Sequence, residues 1–597
     1  MPDKEWTLMF YFASDNPLTP SVVSQLKALK QAGFRPDVNV VAHFDPQAED
    51  TPSHIFDVNL INKLHSPLES EDGFEPNDPY VRTLMEDKLW SDEKDRNGQK
   101  IRDQLKIALA EKNIAYDPPI PSNGVENSTE ALAGFDTRGT DRSEKQRFKE
   151  RKFQEPGPKE SLSTFLKFCS EKYTAKHYML FILGHGMVVG NDIFLFDEHV
   201  ESDEQSLSLI GLGEVLNGFA QAVRNQGAEF ELVSFHSCSV SSVELAHELQ
   251  FDQRGQFRGT ANYVLASQGP AFVGSWPYRE IVIRVLNDVE RLKNLDKEAR
   301  AIEIKKMLVK IHKYILHNSS DFLLAGYSFQ VTLCDLNKVS GVTAILKNLS
   351  NELVEGLDQP MMKNLILLAH WQSISFWREI YTDLYDFCFC LRNLCDEFGK
   401  ITGEKIGLID AIGTTCGEIL ALLVAGDHVD DDMLIVRTDF AGPAYQYSHG
   451  LSVYFPWSAP SRGFMSQYEQ YRFSATSWHT FLEKYFVATK RATRQDEDIA
   501  FPMKADLPAR TMSSAEELQE DIVSICFNNE GPLNSSFALG NPEPLAGGKV
   551  DVRDPMGDSC NCGSIKNYPY DTRRLKQRAK EAAEPAFPIG FKTFNLF

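Results

Sequence analysis

Two short apolar runs, each stopping at residues that can do chemistry and separated by one helical stretch, constrain this chain more than any other feature. Residues 178–183 stop at Gly184-His185-Gly186, and residues 230–235 stop at His236-Ser237-Cys238. Each run is too short for a globular helix, is rich in β-formers and is bounded by polar residues or glycine, so both read as buried strands. Between them, residues 209–224 place Leu212, Val215, Leu216, Phe219 and Val223 at the period of an amphipathic helix. A strand, helix, strand unit crosses over right-handedly and sets the carboxyl ends of its parallel strands on one sheet edge. Crevices for ligands form at that edge. His185 and Cys238 then face each other across a crevice, as a general base beside a thiol.

The flanking sequence extends the same α/β pattern. Residues 6–12 predict a strand ending at Ala13-Ser14-Asp15-Asn16, residues 21–31 a helix, and residues 38–44 a strand ending at Asp45. Residues 46–158 lose periodicity and read as an irregular insertion, with helices at 81–89 and 101–110. Its basic end, 138–152, reads as a solvated loop or a protease-sensitive activation segment. Residues 161–173 predict a helix capped by Ser161 or Ser163, 241–249 a helix directly behind Cys238, and 262–266 a further buried strand. That strand ends at Ser267-Gln268-Gly269, which makes the 267–276 loop a pocket wall. Residues 280–425 are mainly helical, with a strand at 328–333; strands return at 433–437 and 451–455, and a helix closes at 477–486. The expected organisation is a core begun by 1–45, an insertion over 46–160, a catalytic core over 161–290, a helical and mixed subdomain over 291–490 and an irregular tail over 491–597.

At 597 residues the chain exceeds one ordinary core. Its net charge of −22 argues against a general nucleic-acid or anionic-membrane partner. There is no signal-peptide pattern at the start and no apolar run long enough to span a bilayer, so a cytoplasmic protein is expected. Ten cysteines scattered over this length suit a reducing compartment rather than a disulfide framework.

Cys238 sits at a strand end, where the following helix favours the thiolate. The Gly186 and Cys238 backbone N–H groups are placed to form an oxyanion hole. His236, two residues before Cys238 and on the same strand face, is a pocket residue, an alternative base or a packed histidine; the pocket reading is preferred. The other cysteines read as inert, and Cys560 and Cys562 lack a matching ligand pair for zinc. The acidic residues of 191–205 suggest calcium only weakly, since their spacing fits no EF-hand. No metal and no cofactor are expected.

The separation of 53 positions between His185 and Cys238 is close to the roughly 50 found in caspases, where the His also comes first. Together with residues 6–16, the His-Gly after 178–183, Ser242-Val243-Glu244-Leu245-Ala246-His247-Glu248-Leu249, Trp276-Pro277-Tyr278, Asp383-Leu384-Tyr385-Asp386-Phe387 and His449-Gly450-Leu451-Ser452-Val453-Tyr454-Phe455-Pro456, the motifs resemble those of the clostripain family of cysteine peptidases. The resemblance covers most of residues 5–490. It implies a caspase-like three-layer α/β sandwich around a mostly parallel sheet, with His185 as base and Cys238 as nucleophile of a cysteine endopeptidase that makes limited cuts in protein substrates. It further implies activation by processing or by a regulatory partner, and a bacterial signalling or defence role is the expectation. The alternative is a silent, caspase-fold binding or scaffold protein. The family's acidic pocket positions fall here on His236 and on Gln268 and Gly269, with Ser267 and Trp276 beside them. The resemblance therefore implies a P1 preference shifted away from Arg and Lys.

Overall fold

The structure is a computed structural model that describes most of residues 4–45 and 157–489, together with 54–57 and 81–83. The expectations for 101–110, 138–152, most of the acidic stretch 191–205 and the tail, with its Cys526, Cys560 and Cys562, lie outside the described residues.

The apolar runs become strands because each can bury both faces. The first is β1 (Lys4–Phe12), whose last seven residues are all buried, and β2 (Val38–Phe44) is buried throughout. After β3 (His54–Asp57) and β4 (Val81–Thr83) come helix α1 (Pro158–Lys172) and the two strands of the opening unit, β5 (Ala175–Leu183) and β6 (Glu229–His236), joined through α2 (Leu209–Asn225). Next are α3 (Val243–Leu249), β7 (Tyr263–Ala266), α4 (Tyr278–Lys293), α5 (Lys297–Asn318) and β8 (Phe329–Asp335). The remainder runs through α6 (Val339–Gly356), α7 (Pro360–Gln372), β9 (Ser375–Phe376), β10 (Tyr381–Asp383), α8 (Leu384–Thr402) and α9 (Gly407–Leu422). It closes with β11 (Ile435–Ala441), β12 (Ser452–Tyr454), α10 (Arg462–Gln470), a 3-10 turn at Arg472–Thr476 and α11 (Trp478–Ala488).

Nine strands form one sheet in the order β11-β8-β7-β6-β5-β1-β2-β3-β4, and β12-β10-β9 form a small second sheet. The five central strands, β7 to β2, pair in parallel, and β8 and β11 add antiparallel to one side. Strand alternation assigns the layers. Tyr178 meets Phe219 of α2, and Tyr11 meets Phe165 of α1. On the opposite face Phe10, Phe12 and Phe181 surround Tyr278 at the start of α4. Helices therefore cover both faces, the expected three-layer α/β sandwich with a mostly parallel sheet.

Three local expectations are corrected. Residues 81–83 are a strand rather than the start of a helix, because Val81 and Thr83 are β-branched and pair with β3, which extends the sheet antiparallel from β2. Helix α1 begins at Pro158 behind Gly157, with no side-chain cap; proline is already shaped for a first helical position. Ser161, the expected cap, instead bonds His43 Nε2 at 3.2 Å. Strands β9 and β10 fall inside a stretch read as helical, too short to register as a period.

Candidate active site

Strands β5 and β6 pair in parallel with Leu183 opposite His236, so both chemistry-bearing ends leave the sheet at the same level. The two loops then touch. A Cβ placed on Gly186 would lie 2.0, 2.3 and 2.6 Å from the O, N and C of Cys238. Only glycine allows this approach, which seats the residue after His185 directly on the Cys238 backbone. His185 itself is held from below, its carbonyl accepting the Leu195 N–H at 3.0 Å. Burial disfavours the charged imidazolium and pushes the imidazole down to about 3, so the ring is neutral at ordinary pH.

Cys238 is completely buried, and the Ala271 N–H points at its sulfur from 3.3 Å. The amide that favours a thiolate thus comes from the loop after β7. Helix α3 starts only at Val243, with its first turn capped by the Ser242 hydroxyl, so it does not follow Cys238 as directly as the sequence suggested. Ser239, next in the chain, takes the left-handed conformation at φ 52°, which turns the backbone sharply away from the sulfur.

The 267–269 segment braces this elbow. The Gly269 carbonyl accepts the Ser239 N–H, and the Ser267 carbonyl accepts the N–H groups of Val240 and Ser241. The Gln268 amide bonds outward: its Nε2 donates to Asp383 Oδ2 at 3.0 Å and Ser452 Oγ at 3.1 Å, and its Oε1 accepts the Gly450 N–H at 2.8 Å. Gly269 lies under the Tyr445 hydroxyl, which leaves no room for a Cβ. His236 is stacked on Trp276 at 4.3 Å and its Nδ1 meets the Tyr278 hydroxyl at 2.9 Å. Trp276 Nε1 in turn donates to Ser234 Oγ at 3.1 Å. His236 and Trp276 therefore form one packed unit on the α4 face.

Sequence reading did not anticipate Asp383, Tyr381 or Ala271. Asp383 is fully buried and accepts from Gln268 and from the N–H groups of His449 and Asp386. The Tyr381 hydroxyl donates to the Val189 carbonyl in the loop after His185. The sequence signal for Asp383 and Tyr381 was a place in the Asp383-Leu384-Tyr385-Asp386 motif or just before it, and that for Ala271 was its place in the 267–276 loop. Among the described residues no group of three or more His, Cys, Asp or Glu side chains is arranged to hold a metal ion, and no helix is long and apolar enough to cross a membrane.

An α/β sandwich with a histidine and a cysteine on abutting loops at the carboxyl edge of its central strands is the architecture of a caspase-like cysteine peptidase. The clostripain family model matches residues 138–485, more than half of the chain, and the chain belongs to that family of cysteine peptidases. No curated protein matches the sequence. Among solved structures, an inactive zymogen C11 protease from Parabacteroides distasonis is similar at 15% identity, covering 80% of this chain and 99% of that one, with a TM-score of 0.38. A secreted C11 cysteine protease from Bacteroides thetaiotaomicron in complex with an irreversible peptide inhibitor is similar at 11% identity over 80% of this chain and 99% of its own, with a TM-score of 0.40.

Proposed function

We propose that this clostripain-family peptidase is an endopeptidase that makes limited cuts in protein substrates through His185 and Cys238. The observation that carries the reading is the seating of Gly186 on the Cys238 backbone, which brings the histidine and cysteine loops into one crevice. In the reaction, the Cys238 sulfur attacks the scissile carbonyl while the His185 imidazole takes the thiol proton. The Gly186 and Cys238 N–H groups receive the oxyanion. His185 then passes its proton to the leaving amine, and water, deprotonated by the same imidazole, hydrolyses the thioester and returns the thiol.

Activation comes through a processing cut in 138–152 or through a regulatory partner. Neither His236 nor Gln268 offers a carboxylate to a cationic P1 side chain, which supports a polar or acidic P1 preference. A peptide library scanned at P1 tests this, and cleavage confined to Arg and Lys refutes it. A thiol-reactive peptide probe tests the dyad: labelling should vanish in Cys238→Ala and fall sharply in His185→Ala. Undiminished cleavage by Cys238→Ala would remove Cys238 from the mechanism.

A further inference from the structure

Asp383, the last residue of β10, is completely buried, and its carboxylate joins three segments far apart in sequence. Oδ1 accepts the Asp386 N–H at 2.9 Å in the first turn of α8. Oδ2 accepts the His449 N–H at 2.7 Å and a proton of Gln268 Nε2 at 3.0 Å. The His449 imidazole stands beside it, with Nδ1 3.5 Å from Oδ1. The Asp383 backbone is fixed as well, in register with Ser452 of β12 and donating its N–H to the Ile374 carbonyl at 3.0 Å. None of these bonds goes to Cys238 or His185.

Gln268 carries the link toward the nucleophile. Its Nε2 donates to Asp383 and to Ser452 Oγ, its Oε1 accepts the Gly450 N–H, and its backbone N–H donates to Gln330 Oε1 of β8 at 2.9 Å. Gln330 Nε2 donates in turn to Thr438 Oγ1 of β11 at 2.8 Å. A carboxylate only accepts hydrogen bonds, so Asp383 dictates which end of the Gln268 amide is the donor. Turning the amide over would set its oxygen against the carboxylate and its NH2 against the Gly450 N–H, leaving buried polar groups unpaired, which is costly. The side chain therefore has one orientation.

The residues on either side of Gln268 hold the Cys238 elbow. The Gly269 carbonyl accepts the Ser239 N–H at 3.0 Å, and the Ser267 carbonyl accepts the N–H groups of Val240 and Ser241 at 3.0 and 2.9 Å. The Ala271 N–H, two residues further on, is the amide aimed at the sulfur. Ser239 needs such support, because a left-handed serine keeps its conformation only where surrounding bonds enforce it. A second brace comes from the 450–452 segment, which Gln268 also bonds: the Ser452 N–H donates to the Ser241 carbonyl at 3.0 Å, and Ser241 Oγ donates to the Gly450 carbonyl at 2.7 Å. Both braces thus meet at one amide, and that amide is oriented by Asp383.

We propose that Asp383 is a positioning residue for the cysteine reaction, acting through the Gln268 amide to hold the 267–271 segment against the Cys238 elbow. The proposal rests on Cys238 as the nucleophile only for its effect on turnover; the bracing of the elbow stands apart from it. Without the Gln268 link, the 267–271 segment is free to draw back, and Ser239 and the Ala271 amide shift with it. Substrate can still enter the crevice, but the sulfur no longer meets the scissile carbonyl in line, so the loss falls on kcat rather than on KM.

The test is a double-mutant cycle in the full chain, with Asp383→Asn and Gln268→Met made singly and together and read by kcat and KM on a peptide substrate. Each single variant should lose about 100-fold in kcat, the cost of a displacement of about 1 Å between reacting groups, with KM little changed. The double variant should lose no more than either single one, because the second substitution has no remaining link to break. Additive losses, or a lowered Tm with kcat intact, would mean that Asp383 only caps α8, and either result overturns the proposal, as does a loss confined to KM. Should Asp383→Asn fail to fold, Gln268→Met alone decides by the same split. Hydrogen exchange at the Ser239, Val240 and Ser241 amides is the second readout, in the Cys238→Ala protein with and without Gln268→Met. Exchange should rise by about tenfold, the factor that one lost hydrogen bond of ordinary net strength corresponds to; unchanged exchange overturns the bracing. Activity surviving Cys238→Ala would instead count against the nucleophile, and the exchange result would then decide the bracing alone.

Discussion

Replacing Gly186 by alanine tests the contact on which the site depends. The new Cβ would lie 2.0 Å from the Cys238 carbonyl oxygen and 2.3 Å from its nitrogen, against 3.4 Å or more for ordinary contact. These are backbone atoms, so no side chain can swing aside, and the His185 and Cys238 loops must separate by more than 1 Å. Overpacking of this kind costs about 1–3 kcal/mol, which a domain with about 5–15 kcal/mol of stability survives. A displacement of about 1 Å between reacting groups costs on the order of 100-fold in rate, equivalent to about 2.7 kcal/mol of activation free energy. The expected outcome is a folded protein with a modest fall in Tm and a loss of two orders of magnitude in kcat/KM and in the rate of Cys238 labelling by a peptide probe. Gly399→Ala in α8, where a Cβ meets nothing within 4 Å, is the control and should gain up to about 1 kcal/mol of stability with activity unchanged. A Gly186→Ala enzyme with both wild-type stability and wild-type rate would refute the reasoning.

Acid should unfold the protein early. Burial pushes His43 and His185 down to about 3, and His247 and His312 down to about 4. Below the unfolded value near 6.5 the unfolded chain binds more protons, so stability falls with falling pH by up to about 1.4 kcal/mol per unit for each such histidine. Equilibrium denaturation should show a plateau from these groups above pH 7 and a steep decline between pH 6 and 4; a flat profile there would contradict their burial. Gln268→Glu removes the amide donor from Asp383 and sets a second carboxylate against it in a buried site. It should cost about 2–4 kcal/mol in a denaturant titration, and a neutral effect would mean the site opens to water. Gly269→Ala drives a methyl group into the Tyr445 hydroxyl and should slow Cys238 labelling, with Gly269→Ala/Tyr445→Phe restoring part of the rate.

The strands that carry the site were legible because parallel central strands bury both faces and so appear as unbroken apolar runs, as in residues 178–183 and 230–235. Their carboxyl ends followed from right-handed crossover, and this made His185 and Cys238 neighbours without any knowledge of the loops. What escaped was set by partners distant in sequence. Nothing local in Asp383 announces that it receives the Gln268 amide, and Ala271 has no side-chain chemistry to mark the amide aimed at the sulfur. His236 could be placed on a strand face, but its stacking on Trp276 depends on a loop forty residues later. Strands β9 and β10, of two and three residues, are defined by their pairing rather than by any pattern of their own.

The bonds that fix the nucleophile loop reach across about a third of the chain. Ser241 bonds Gly450 across 209 positions, Glu244 bonds Tyr454 across 210, and Tyr381 holds the loop after His185 across 192. During synthesis at about 5–20 residues per second, Cys238 leaves the ribosome roughly 10–40 s ahead of the strand that braces it. The sheet can form in that interval, but the elbow cannot. A nascent chain therefore carries its thiol and its histidine before it has the means to align them, and proteolytic competence waits on completion of the C-terminal subdomain.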